Sequence, residues 1–337
     1  MFLKSLKYIA SLIFAFGIIF LLFENQDPLK LIEEVKKVDV KWVILSMMFG
    51  GWALISRGLR WIVLIDAIGY KSSKQNAVAS VAILYFTNLF IPRGGEITRC
   101  TSLNQTEKIP IDKLFGTILV ERVIDFVFLF GLMFLTLILK FNDIVNFYIA
   151  IQSQQSENNN DKNIILIIAI ISTLVLTFLF IKRWLKKSTF YAKTLNFIEG
   201  LKEGFKSIKT MKKKSTFWLH TFSIWIMYFL MTYICFFSMN ETSNLGIGDG
   251  IFLLVLGGIG MVIPTPGGIG SYHAIVMIGL SVLGIGTISF GANGDTSNPA
   301  LLFPTIIHAG QTLMAIIMGL IGLLILFLSK KKKNVLS

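Results

Sequence analysis

The chain has 337 residues, 54% of them hydrophobic and only 15% charged, with 32 Lys and Arg against 19 Asp and Glu and a formal net charge of +13. A mean hydropathy of +0.71 excludes a soluble globular domain of this length and reads as an integral membrane protein. The basic residues fall between apolar segments and no nucleic-acid-binding motif accompanies them, so the positive charge belongs to a membrane surface and not to nucleic acid.

Lys4 and Lys7 open the chain at the edge of an apolar stretch over 2–23. Glu24-Asn25-Gln26 comes next, where a cleaved leader would carry a small-x-small site, so the stretch reads as an uncleaved first span. Five more segments, 42–65, 114–139, 164–181, 217–238 and 302–328, reach spanning length. Three others, 77–91, 251–263 and 272–285, are too short or too broken to cross and predict re-entrant helices. The expected fold class is therefore an all-α polytopic membrane protein, with about six full transmembrane helices plus two sets of re-entrant helices.

Charge placement orients this scheme. With both termini in the cytoplasm, the inner segments carry 23 Lys and Arg and the outer ones 6. The order span, span, re-entrant segment, span then occurs twice with opposite orientation, over about 1–140 and 163–329 of a single domain, 1–337. That pattern is an inverted-topology repeat of the kind secondary transporters use; the alternative is eight or nine ordinary helices with Gly/Pro kinks. Within the second repeat, 182–214 carries 11 Lys and Arg with apolar residues at steps of three and four, an amphipathic helix suited to an anionic lipid surface. The stretch 152–162 is polar throughout.

Three places can carry chemistry. Glu121, Arg122 and Asp125 stand inside the span at 114–139, where charge is costly; they read either as a buried ion cluster locking helices or as a head-group clamp or proton relay. Arg93, Glu96 and Arg99 flank the turn Gly94-Gly95, which opens a short helix whose amide N–H groups and dipole favour an anion; snorkelling arginines at an interfacial turn are the bland alternative. Pro266, Gly267, Gly268 and Gly270 build a second such turn, with His273 in the first turn of the helix after it and His308 in the last span. Cys100 and Cys235 make no disulfide framework and receive no metal or redox role. No nucleotide, zinc-hydrolase or nucleophile-elbow motif is present, so no cofactor, no metal and no enzymatic activity are expected.

The runs Leu89-Phe90-Ile91-Pro92-Arg93-Gly94-Gly95-Glu96-Ile97-Thr98-Arg99, Glu121-Arg122-Val123-Ile124-Asp125 and Pro264-Thr265-Pro266-Gly267-Gly268-Ile269-Gly270 resemble, in this order, the flippase-like membrane domain of the lysylphosphatidylglycerol synthases. The resemblance implies a lipid-translocating fold with two sets of re-entrant helices. In the full synthases a separate soluble domain performs aminoacyl transfer. This chain ends nine residues past its last apolar segment, so the stand-alone form is expected. The family commonly carries Glu where His273 stands, which withholds any carboxylate role from that position. The expectation is a flippase or lipid-linked substrate transporter of the bacterial inner membrane, for a membrane phospholipid or polyprenyl-type lipid. Arg93, Arg99 and Arg122 would bind phosphate, while Glu121 and Asp125 orient them or exchange protons. Two other readings remain open: a scaffold presenting lipid to an envelope-biogenesis enzyme, and a lipid-modifying enzyme using Glu121, Asp125 and His273.

Overall fold

The computed structural model describes residues 2–24, 26–154, 211–288 and 298–336. The predicted span 164–181, nearly all of the basic stretch 182–214 and most of the polar stretch 152–162 lie outside them. Among the described residues every regular element is helical. The chain divides into two compact units, Met1–Lys140 with Met211–Ser337, and Phe141–Thr210. Of the second unit, α7 (Phe141–Gln154) is described.

The larger unit begins with α1 (Phe2–Phe23), followed by the short α2 (Pro28–Lys37), with an 85° bend between them. Hydropathy alone reads the α2 region as a loop. It is helical because Asp27 caps the amides of Leu29 and Lys30 and Pro28 presets the first helical φ. Its Leu29, Ile32 and Val35 recur at steps of three and stay exposed, the apolar stripe of an interfacial helix. Asp39 caps α3 (Val40–Ala67) through the Lys41 amide.

The helices α4 (Lys74–Phe90) and α5 (Gly95–Glu107) join at the first Gly-Gly turn. They lead to α6 (Ile111–Leu139), and the second half runs through α8 (Lys214–Tyr233), a 3₁₀ extension over Ile234–Ser238, α9 (Ile247–Val262), α10 (Ser271–Val282) and α11 (Pro299–Leu336). Among the described residues, four stretches are long and apolar enough to cross a membrane: Val40–Ala67, Ile111–Leu139, Lys214–Ser238 and Pro299–Lys332. The bent α1–α2 pair makes a fifth if counted as one. The fold is thus an all-α polytopic membrane protein.

Within this unit α4 sits between α3 and α11, and small residues let the backbones approach. A Cβ on Gly58 of α3 would lie 2.6 Å from Val78 Cα on α4. On α11, Gly319 faces the Phe86 side chain and Gly322 faces the Ala79 carbonyl. Lipid supplies no hydrophobic force between helices, so such close packing and a few interhelical hydrogen bonds hold them together. Ser329 Oγ to Asn76 Oδ1 (2.8 Å) and Ser46 Oγ to the Met231 carbonyl (2.7 Å) are two of those bonds. The core joins Trp61, Ile65, Val81, Cys100, Leu103 and Leu114 from α3, α4, α5 and α6. Both cysteines are buried as free thiols.

Candidate functional site

The face shared by α3, α5 and α6 carries a chain of ion pairs. Glu121 and Asp125 are one turn apart on α6, so both carboxylates leave the same side of the helix. Arg57 and Arg60 are three apart on α3 and meet them. Arg57 Nη2 lies 2.7 Å from Asp125 Oδ2, and Arg60 Nη1 lies 2.8 Å from Asp125 Oδ1. Arg60 Nε also faces Glu121 Oε1 at 3.8 Å. From α5, Arg99 Nη1 donates to Glu121 Oε2 at 2.7 Å, and its guanidinium lies 3.7 Å over the Trp61 ring.

The chain continues to a more open edge, where Arg122 Nη2 meets Glu96 Oε1 at 3.1 Å and Arg122 Nη1 meets Asp125 Oδ2 at 3.9 Å. Arg57 Nε donates to Tyr228 Oη at 2.9 Å, and Tyr228 is hydrogen-bonded to Tyr85, so α4 and α8 close the back of the cluster. Four guanidinium groups face three carboxylates, one positive charge in excess. Exposure is graded: the side chains of Arg60, Arg99 and Glu121 are 0% exposed, Arg57 8%, and Arg122 43%.

The two Gly/Pro turns lie against each other. Arg93 adopts a left-handed backbone (φ 59°), and its Nη2 donates to the Val262 carbonyl at the end of α9, at 2.8 Å. Gly267, also left-handed (φ 60°), packs against Leu89 at the end of α4. Thr265 Oγ1 and Ser271 Oγ lie 2.8 Å apart across the second turn, and α1 covers it through Ser11 Oγ, bonded to the Pro264 carbonyl at 2.7 Å. His308 Nε2 reaches the Gly267 carbonyl at 2.8 Å.

Residues 8–292 match the profile described as the lysylphosphatidylglycerol synthase TM region. The chain belongs to that family. A 109-residue stretch is 31% identical to the UPF0104 membrane protein MJ1595 of Methanocaldococcus jannaschii, covering 31% of this chain and 32% of that relative. The alignment thus takes in about a third of the relative's length. No solved structure matches the chain.

In this member of the lysylphosphatidylglycerol synthase TM region family, the predicted site residues part into two groups. Arg99, expected at a lipid phosphate, is instead fully buried on Trp61 and Glu121, so it works as a strut. The first turn is not a ready-made anion cradle either. The Gly94 amide donates to the Ile91 carbonyl, and the Gly95 amide to Asn88 Oδ1 at 2.8 Å. At the second turn Pro266 and Gly268 are buried, and a Cβ on Gly270 would meet Ala15 and Ile18 of α1.

Glu96 and Arg122 keep the open edge of the cluster, Asp125 is 12% exposed behind them, and Arg93 is exposed on the adjoining turn. His273 is buried against His308. Arg57 and Arg60 belong to the cluster although sequence reasoning named no role for them. The available signal was their spacing: two arginines one turn apart in an apolar span match two carboxylates one turn apart in another.

Proposed function

We propose that the protein is a lipid flippase or lipid-linked substrate transporter of the bacterial cytoplasmic membrane, taking an anionic lipid head group at the open edge of the charge cluster. The observation that carries this reading is the unbalanced positive charge at a membrane-embedded cluster, together with the gradation of exposure that brings it to the surface at Arg122. Arg60, Arg99, Glu121 and Asp125 hold α3, α5 and α6 in register. Arg122 and Arg93, the latter on the adjoining turn, supply the contacts that bind phosphate. Family membership supports a membrane lipid role. The positive-inside distribution supports cytoplasmic termini. Rocking of one repeat against the other about the paired turns would expose the site to each leaflet in turn.

The test is translocation of a fluorescent phosphatidylglycerol in proteoliposomes. Arg93→Ala/Arg122→Ala should cut the rate by about tenfold or more, the equivalent of losing one charge-assisted hydrogen bond. It should leave the melting temperature close to wild type, because the half-exposed Arg122–Glu96 pair contributes only about 0.2–1 kcal/mol. Unchanged translocation in the double variant overturns the head-group assignment. A wild-type protein that moves no lipid but co-purifies with an envelope enzyme replaces transport with a presenting role.

A further inference from the structure

The cluster's two innermost carboxylates, Glu121 and Asp125, are engaged by guanidinium groups, which makes them anchors and poor proton carriers. A second set of titratable side chains has no such counter-ion. His273 of α10 and His308 of α11 are 5% and 6% exposed, with ring centroids 4.9 Å apart. Tyr272 stacks on His308 at 5.4 Å. The Gly267 carbonyl can only accept, so His308 Nε2 carries the hydrogen in their 2.8 Å bond, and any added proton goes to Nδ1. Nδ1 of His273 is buried and has no hydrogen-bond partner.

Among the described residues, the elements packed around the pair bring no carboxylate to it. On α9 the one charged residue, Asp249, pairs with Lys140 near that helix's start, while the pair meets the helix's other end near Met261. Between Ser11 and Phe23, α1 has no charged residue, and α11 has no titratable group other than His308 before Lys330. On the 3₁₀ segment, Cys235 faces Tyr272. Leu89 of α4 touches the turn, but the nearest titratable group on that helix, Tyr85, is bonded to Tyr228. Across the turn, Arg93 donates to the Val262 carbonyl.

Two imidazolium ions at this spacing repel, so the pair takes one proton and not two. A single buried charge without a counter-ion is costly. An anion arriving at the turn supplies the counter-ion, and linkage makes the effect reciprocal: each ligand favours the other.

Building on the transport reading, we propose that His273 and His308 form the proton site of a proton–lipid symport. One proton is taken up from water when a phosphodiester head group binds at Arg93, on the turn that adjoins Gly267, and it leaves with the lipid on the other face. The pair lies at the joint between the two turns, where Arg93 holds the last carbonyl of α9 and His308 holds the Gly267 carbonyl of the second turn. Binding there bears directly on the element that must move.

The test measures proton uptake by the full chain in detergent, weakly buffered at about pH 6.5 near the ordinary histidine value, as dihexanoylphosphatidylglycerol is added. Binding is read independently by calorimetry, and dimethyl phosphate supplies the same phosphodiester without acyl chains. The expected result is about one proton per bound lipid in the wild type and none in His273→Gln/His308→Gln. Uptake with dimethyl phosphate as well supports the linkage and assigns recognition to the phosphodiester alone. Lipid binding by the wild type without proton uptake, or uptake that persists in the double variant, overturns the symport and leaves the transport reading standing. Absence of lipid binding by the wild type overturns both. Should the double variant fail to fold, the wild-type translocation rate decides: it should rise under an imposed pH gradient of the matching direction, and a rate indifferent to the gradient overturns the proposal.

Discussion

Glu121→Gln should destabilise the protein by about 3–5 kcal/mol, the usual consequence of removing one partner from a buried ion pair. Glu121 is 0% exposed and is the 2.7 Å partner of Arg99, which is equally buried. The other carboxylate near Arg99, Glu96, is 3.8 Å away and shared with Arg122. The amide keeps the shape of the side chain but leaves four guanidinium groups facing two carboxylates. Arg99→Met/Glu121→Leu removes one charge of each sign, and apolar side chains of similar volume in place of a buried pair are often neutral or stabilising. Thermal melts in detergent should therefore place the single variant far below wild type and the double variant near it. A single variant as stable as the double would mean that Arg99 draws its compensation from elsewhere.

The same network shows what sequence reasoning reaches and where it stops. Spans are legible because a membrane demands long apolar runs: 42–65, 114–139 and 217–238 all reappear inside helices a few residues longer. The broken helices at Gly94-Gly95 and at 264–270 are legible because Gly and Pro interrupt the apolar runs there. Pairing between helices is another matter. Nothing local to α3 says that Arg57 and Arg60 meet Asp125, because a pair separated by over sixty residues is made by helix packing. Burial is equally invisible. Arg93, Arg99 and Arg122 look alike in sequence, and only packing against Trp61 separates the strut from the exposed cations. Hydropathy passes over α2 because a ten-residue amphipathic helix averages to a polar segment, although Asp27-Pro28 already signals a helix start. His308 meets Gly267 across 41 positions, a contact no spacing rule anticipates.

Adjacent glycines in the first turn should respond very differently to one added methyl. An ideal Cβ on Gly95 would run into the Leu84 carbonyl oxygen and come within 2.7 Å of Asn88 Oδ1. The first is backbone of α4 and cannot swing aside. The second is the acceptor for the Gly95 amide, so relieving the clash breaks the hydrogen bond that closes the turn. Gly95→Ala should cost about 2–4 kcal/mol, from overpacking plus the lost bond. Gly94→Ala meets Ile91, with Cγ2 at 2.7 Å, Cβ at 3.0 Å and the carbonyl oxygen at 3.2 Å; the exposed side chain can rotate Cγ2 away while the other two need a shift of a few tenths of an ångström, so an effect smaller than at Gly95 is expected. Gly116 of α6 has nothing within 4 Å, and alanine there should stabilise by about 0.5–1 kcal/mol through helix propensity. Melting temperatures in the order Gly116→Ala, Gly94→Ala, Gly95→Ala from highest to lowest are the expected result; equal values at 94 and 95 would show that the α4–α5 approach is looser than the backbone contact requires. The effect on transport comes through the side chains that α5 carries. Separating it from α4 draws Arg99 away from Glu121 and Glu96 away from Arg122, so Gly95→Ala disturbs the strut and the open edge together. Lipid translocation by Gly95→Ala should therefore fall even at temperatures where the variant remains folded, whereas Gly94→Ala should translocate as wild type does.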